Sequence, residues 1–341
     1  MQNVPLIMLA ALLACGGRDT PAVGPCGGGC SIGLEHVVTL TDRAEPGSIG
    51  VGRSLGVQQD VHGRFLLPAL TGDRVLVFDG AGELVAQVGR RGRGPGEFQR
   101  AFGILPFGDS VLVWDMAQRR ATVLGPELQP SRVVMAPFEP VLAIGSDTVL
   151  SASARAAGSH EGQPLHLTRL DGTRIRSLGA DLPLGGSVPL VAPARDGTVW
   201  IAAPSEYSIE RWDPRSGERL ARIDVASSWF RGAARPQEVH ERPLPTLQAV
   251  WQDAEGVLWL LTRVADADWQ APPADGPELV LHPATLSRLY DWILEAVDAD
   301  SGRVLAARRF TDYVDVRPPS RLLVSLRAET DSTTELDVWR P

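Results

Sequence analysis

From residue 55 onward, apolar and polar positions alternate in short bursts, each closed by turn-forming residues. The first set runs Val57-Gln58-Gln59-Asp60 with Gly63, then Arg64-Phe65-Leu66-Leu67, then Arg74-Val75-Leu76-Val77-Phe78-Asp79. Gly80 and Gly82 turn the chain, and Glu83 to Val88 closes the set. Period-2 alternation over four to six residues predicts strands with one buried face, and Asp-Gly or Gly-rich breaks predict hairpins. The pattern returns at Ile104 to Asp109, Ser110 to Asp115 and Arg120 to Leu124. A third set begins near Val141, with Asp147 to Leu150, His166 to Leu170 and an Asp171-Gly172 turn.

The fourth set is the clearest: Ala194 to Ile201, Ser208 to Asp213, and Gly217 to Ile223. The fifth has Val250 to Asp253 and Gly256 to Leu261, and resumes at Trp292 to Val297 and Gly302 to Ala306. A sixth, partial set holds Arg321 to Leu326 and Thr334 to Trp339. Such units cannot bury their faces alone, so neighbours must stack, and radial stacking leaves only short protected edges. The prediction is an all-β, six-bladed β-propeller with four-stranded antiparallel blades over residues 34–341. Five and seven blades are the competing counts. The sixth unit runs out one strand short, and His36-Val37-Val38-Thr39-Leu40 is the natural strand to complete it, joining the two chain ends. Insertions are expected near 226–248 and 265–291, the second holding a short helix from Pro283 to Asp291.

The segment Gly89-Arg90-Arg91-Gly92-Arg93-Gly94-Pro95-Gly96-Glu97-Phe98, followed by Gly103-Ile104, resembles the interblade segment of NHL-type six-bladed propellers. Ala101 stands where that family often has Pro. The resemblance, shared with bacterial six-bladed propeller lipoproteins, covers most of residues 36–340. It implies the fold rather than one function, because such propellers variously bind proteins or RNA, and some relatives are enzymes.

Val4 to Ala14 is an apolar run too short for a spanning helix, which needs roughly 20 residues, and suits a signal-peptide core. Its end, Leu12-Leu13-Ala14-Cys15, resembles the lipobox of bacterial lipoproteins. That resemblance implies a signal peptide over 1–14 and lipidation of Cys15. Residues 15–33 read as a Gly/Pro-rich tether. Within it, Cys26 and Cys30 are a disulfide pair or two free thiols; a zinc clip lacks further nearby ligands. The expected address is the bacterial cell envelope, at the outer membrane facing the periplasm or the cell surface, with the lipid as the sole membrane contact.

Composition narrows the chemistry. A net charge of -8 disfavours nucleic acid. The chain has no Lys, and its only Asn is Asn3. This removes Lys Schiff-base chemistry and the Asn ligand of lactonase-type propellers. The Gly89–Gly96 loop, with Arg90, Arg91 and Arg93, offers backbone N–H groups to an anion, but lacks the Lys and Ser/Thr of a P-loop. Asp60, Asp109, Asp196 and Asp253 recur in equivalent turns, which favours Asx-type turns over an all-carboxylate cation site. The six His (His36, His62, His160, His166, His240, His282) fit no metal spacing, and no Gly-x-Ser-x-Gly elbow is present.

The insertions carry Trp229, Phe230, Arg231, Arg235, His240, Arg242 and Asp268-Trp269, residue types common at binding patches. No catalytic residue, metal ligand or cofactor is predicted. The expected role is a tethered, monomeric binding or scaffold module for an envelope protein, peptide or glycan, with Arg90, Arg91, Arg93, Trp229, Arg231 and Trp269 as candidate contacts. The alternative is a lactonase-like hydrolase or lyase holding a divalent cation in the central channel, which requires three or more Asp, Glu or His to converge there.

Overall fold

The computed structural model describes residues 31–341 apart from 44, 46–47, 50–54, 70, 155–161, 228, 231–240, 272–281 and 331–332. Cys15, Cys26, Cys30 and Arg231 lie outside the described residues, as do Arg235, His160 and His240. So does the whole of the expected signal peptide.

The chain opens with β1 (Glu35–Thr41) and then lays down its blades in order. Blade 1 holds β2 (Gln58–Gln59), β3 (Phe65–Pro68), β4 (Val75–Phe78) and β5 (Leu84–Val88). A parallel pair, β6 (Arg90–Arg91) with β7 (Glu97–Phe98), forms the interblade segment. Blade 2 holds β8 (Ala101–Phe107), β9 (Ser110–Asp115), β10 (Arg120–Leu124) and β11 (Pro130–Met135). Blade 3 holds β12 (Glu139–Ala143), β13 (Thr148–Ala152), β14 (Leu165–Arg169) and β15 (Arg174–Leu178). Blade 4 holds β16 (Leu190–Pro193), β17 (Val199–Ala202), β18 (Ser208–Asp213) and β19 (Glu218–Asp224).

Blade 5 holds β20 (Thr246–Gln252), β21 (Leu258–Ala265), β22 (Tyr290–Val297) and β23 (Val304–Phe310), with α1 (Pro283–Leu289) between β21 and β22. Blade 6 holds β24 (Val314–Asp315), β25 (Leu323–Glu329) and β26 (Thr334–Arg340), and β1 is its fourth strand. All six blades are four-stranded and antiparallel. The protein is a six-bladed β-propeller.

Closure follows from the apolar face of β1. Val38 and Leu40 are buried, and β1 pairs antiparallel with β26 from Glu35 opposite Arg340 to Thr41 opposite Glu335. The Asp42 carboxylate accepts the Thr334 N–H at 2.7 Å, so the closing strand is fastened where it ends. Gly82, at φ +86°, lies so close to the Thr39 carbonyl that a side chain there would run into it, and its own carbonyl accepts the Thr41 N–H. Ser31 bridges to Ala307 and Ile32 is buried, so the chain already lies on blade 5 before residue 34.

First strands face the axis and fourth strands the rim. Neighbouring first strands lie together, β2 with β8, β8 with β12, β12 with β16, and β16 with β20. Blade 6 meets blade 1 through the Leu55 N–H on the Asp315 carboxylate (2.9 Å) and the Gln58 side chain on the Arg317 carbonyl (2.7 Å). Middle strands are buried on both faces because a blade covers each side, as in β22, buried from Asp291 to Val297. Rim strands such as β19 are largely exposed and charged, which protects an open edge. Apolar clusters pack into the seams between blades; the seam of blades 1 and 2 holds Leu66, Val75, Val77, Ile104, Val111 and Val113.

Candidate functional site

At the seam of blades 2 and 3 the packing stops short. A cavity of about 320 Å³ opens there, within the size range of small-ligand sites. Blade 2 supplies Leu112 from β9, Val134 and Met135 from β11, and the Ala136-Pro137-Phe138 link. Blade 3 supplies Pro140, Val149 and Ser151, then His166, Thr168, Arg169 and Arg174. Met135 is 70% exposed at the mouth, a large apolar side chain left in water. The Trp114 indole N–H donates to the Ala136 carbonyl at 2.9 Å and pins the link that forms one wall. Beside it, the buried His166 ring stacks on Phe138 of that link (4.5 Å, 18°) and bonds Ser177 through Nδ1 at 2.9 Å. The cavity is therefore a rigid apolar cleft with hydroxyls inside and arginines beside it.

The central channel is bridged by an ion pair. Arg317, which follows β24 of blade 6, forms an ion pair with Glu139 at the start of β12. It also lies over the Phe102 ring of β8 at 4.4 Å. Blades 3 and 6 are opposite in the ring, so this pair crosses the axis. Among the described residues no group of three His, Cys, Asp or Glu could hold a metal ion.

No family model and no curated protein matches the chain. Solved structures do. A member of the DUF4221 family from Bacteroides vulgatus matches with a TM-score of 0.63 and 9% identity, over 90% of this chain and 98% of that one. A Bacteroides fragilis protein predicted to be exported gives 0.56 and 12%, over 90% and 95%. Virginiamycin B lyase from Staphylococcus aureus gives 0.50 and 9%, over 91% and 99%. These likenesses show the fold.

The sequence-predicted residues fall in separate places. In the Gly89–Gly96 loop the anion is the chain's own: the Glu97 carboxylate accepts the N–H groups of Gly94 (2.7 Å) and Arg93 (2.9 Å) and the Arg90 guanidinium (2.9 Å). The Gly94 N–H, then the Arg90 side chain, hold the Glu97 carboxyl below the usual range. Gly89 sits at φ +97° with the Phe98 ring against it, leaving no room for a side chain. Arg91 and Arg93 are exposed on the outside of this loop.

Trp229 and Phe230 pack instead at the seam of blades 4 and 5. Tyr207 stacks on Phe230 (4.4 Å) and meets Trp229 edge-on (5.5 Å), and its hydroxyl donates to Glu295. Glu295 is fully buried in β22, and burial pushes its carboxyl up to about 7. Its Oε1, Thr262 Oγ1 and Trp229 Nε1 have no hydrogen-bond partner among the described residues. Trp269 is half-buried in the other insertion. The two insertions meet through Arg242, which donates to the Asp266 carbonyl at 2.6 Å.

Three of the four repeated Asp residues serve turns. Asp60 accepts the His62 and Arg64 N–H groups (2.9 Å each), Asp196 accepts from Thr198, and Asp253 accepts from Gly256, Val257 and the Trp259 indole. Asp109 accepts the Ser110 hydroxyl and no other donor among the described residues. The cleft itself was not predicted. Its one sequence signal is the apolar run Met135-Ala136-Pro137-Phe138, which continues past the end of a strand.

Proposed function

We propose that the chain is an exported NHL-type propeller, anchored by lipid on Cys15 in the cell envelope, that works as a binding module for a peptide or protein partner seated at the cleft between blades 2 and 3. The observation that carries this reading is the cleft: an apolar cavity of about 320 Å³ with an exposed Met at its mouth, against about 90 Å³ for the pocket between blades 5 and 6, which Arg263 and Asp315 line. Apolar walls favour a peptide side chain over a glycan. The Gly89–Phe98 segment supports the NHL likeness, since it links the last strand of one blade to the first of the next. The likeness to a Bacteroides protein predicted to be exported supports the address, and no helix among the described residues is long and apolar enough to cross a membrane.

The test uses a neutral apolar dye, Nile red, titrated into the full-length chain. One dye per chain is expected. Thr168→Trp, placed at a half-buried lining position, is expected to abolish binding while circular dichroism and the melting temperature stay near wild type. Unchanged dye binding by a folded Thr168→Trp protein contradicts the reading.

A further inference from the structure

We propose that the cleft takes the carboxyl end of a peptide whose last residue is apolar, with the Arg174 guanidinium holding the terminal carboxylate. This rests on the reading of the cleft as the ligand seat and adds the chemistry that selects what enters.

The first observation is the charge of the lining. Its ionisable side chains besides His166 are Arg169 and Arg174, and no carboxylate lines it. Neither arginine is spent. Arg169 reaches Asp147 only at 4.0 Å with both side chains more than half exposed, a pair that contributes little. The Arg174 guanidinium has no hydrogen-bond or ion-pair partner among the described residues, whereas that of Arg176, two residues along the same strand, donates to the Arg215 carbonyl at 3.1 Å. Some arginines are paired, as Arg309 with Asp291 and Arg219 with Glu210, and others, such as Arg91 and Arg93, are open on the surface; Arg174 differs from these in lining an apolar cavity. An unengaged planar fork beside an apolar cavity matches a ligand with an apolar body and one carboxylate.

The second observation favours a peptide over a free acid. β11, which supplies Val134 and Met135, is the outermost strand of blade 2, so one of its edges has no strand partner among the described residues. Exposed strand edges accept extended peptides through backbone hydrogen bonds, while pockets beside them select side chains. The Ser151 and Thr168 side chains within the cleft add polar positions that an acyl chain cannot use. A cavity of this size suits one or two side chains with a chain end.

Calorimetric titration of the full-length chain with acetyl-Gly-Leu-Phe, as the free acid and as the carboxamide, tests this. The acid is expected to bind about ten-fold more tightly or better, the worth of a charge-assisted pair. Arg174→Gln should bring the acid down to the level of the amide and leave the amide unchanged, and Arg174→Lys should restore part of the difference. Equal binding of acid and amide, or an acid preference that survives Arg174→Gln, overturns the proposal. Decanoate binding more tightly than the peptide acid overturns the peptide assignment. If Nile red enters the cleft and neither peptide binds, this proposal falls while the cleft remains a seat; if the dye fails as well, the reading beneath it falls.

Discussion

Glu97 and Glu295 show how one residue type acquires opposite properties from its surroundings. Glu97 is wrapped by N–H groups and a guanidinium that favour its charged form. Glu295 is out of contact with water, with one Tyr207 hydroxyl and, among the described residues, one unpartnered oxygen, and the nearest charge on its face of β22, Arg309, is engaged by Asp291 Oδ2. Its folded-state value of about 7 lies above the ordinary 4.5, so the folded protein binds more protons than the unfolded chain between those values. The resulting stability is fully present below about pH 4.5 and is lost as pH rises through 7. At about 1.4 kcal/mol per unit the loss is roughly 3 kcal/mol. Urea denaturation at pH 5 and pH 8 measures it, and Glu295→Gln is expected to flatten the difference. A wild-type midpoint that is equal at both pH values contradicts the account.

At the scale of elements, the recurring turn aspartates separate by what they accept. Asp253 takes two backbone N–H groups and the Trp259 indole, so Asp253→Ala strands these donors and is expected to cost about 1–3 kcal/mol. Asp109 takes one exposed hydroxyl, and Asp109→Ala should stay within about 0.5 kcal/mol. Denaturant midpoints of the two variants check the contrast. The same scale shows what the residue pattern can reveal. β3, β4, β9 and β17 were visible because a middle strand is an apolar run ended by a turn. β11 was not, because a rim strand needs few apolar residues; Pro130 to Arg132 are exposed. β24 is two residues long, too short for any alternation. The cleft was hidden for a different reason. Its walls come from strands of two blades, each ordinary alone, and the void is a property of the seam. The Glu139–Arg317 bridge joins residues 178 apart, a distance no local pattern spans.

At the scale of the whole molecule, the ring depends on one strand at each end of the chain. Leu40 is fully buried on β1, and Leu40→Ala is expected to cost about 2–5 kcal/mol by opening a cavity at the closure. Thermal and denaturant unfolding would show this as a loss for the whole ring; an unchanged midpoint would mean that closure rests elsewhere. The proposed anchor makes a separate prediction: Cys15→Ser should move the protein from the membrane fraction of the envelope to the soluble fraction, and retention in the membrane would contradict lipidation there. The central claim concerns the seam of blades 2 and 3, and hydrogen–deuterium exchange of the full-length chain with and without acetyl-Gly-Leu-Phe tests it most directly. The account predicts added protection in 134–140, 149–151 and 166–174. Protection centred instead on the channel residues around Phe102, Glu139 and Arg317, with none at the seam, would contradict it.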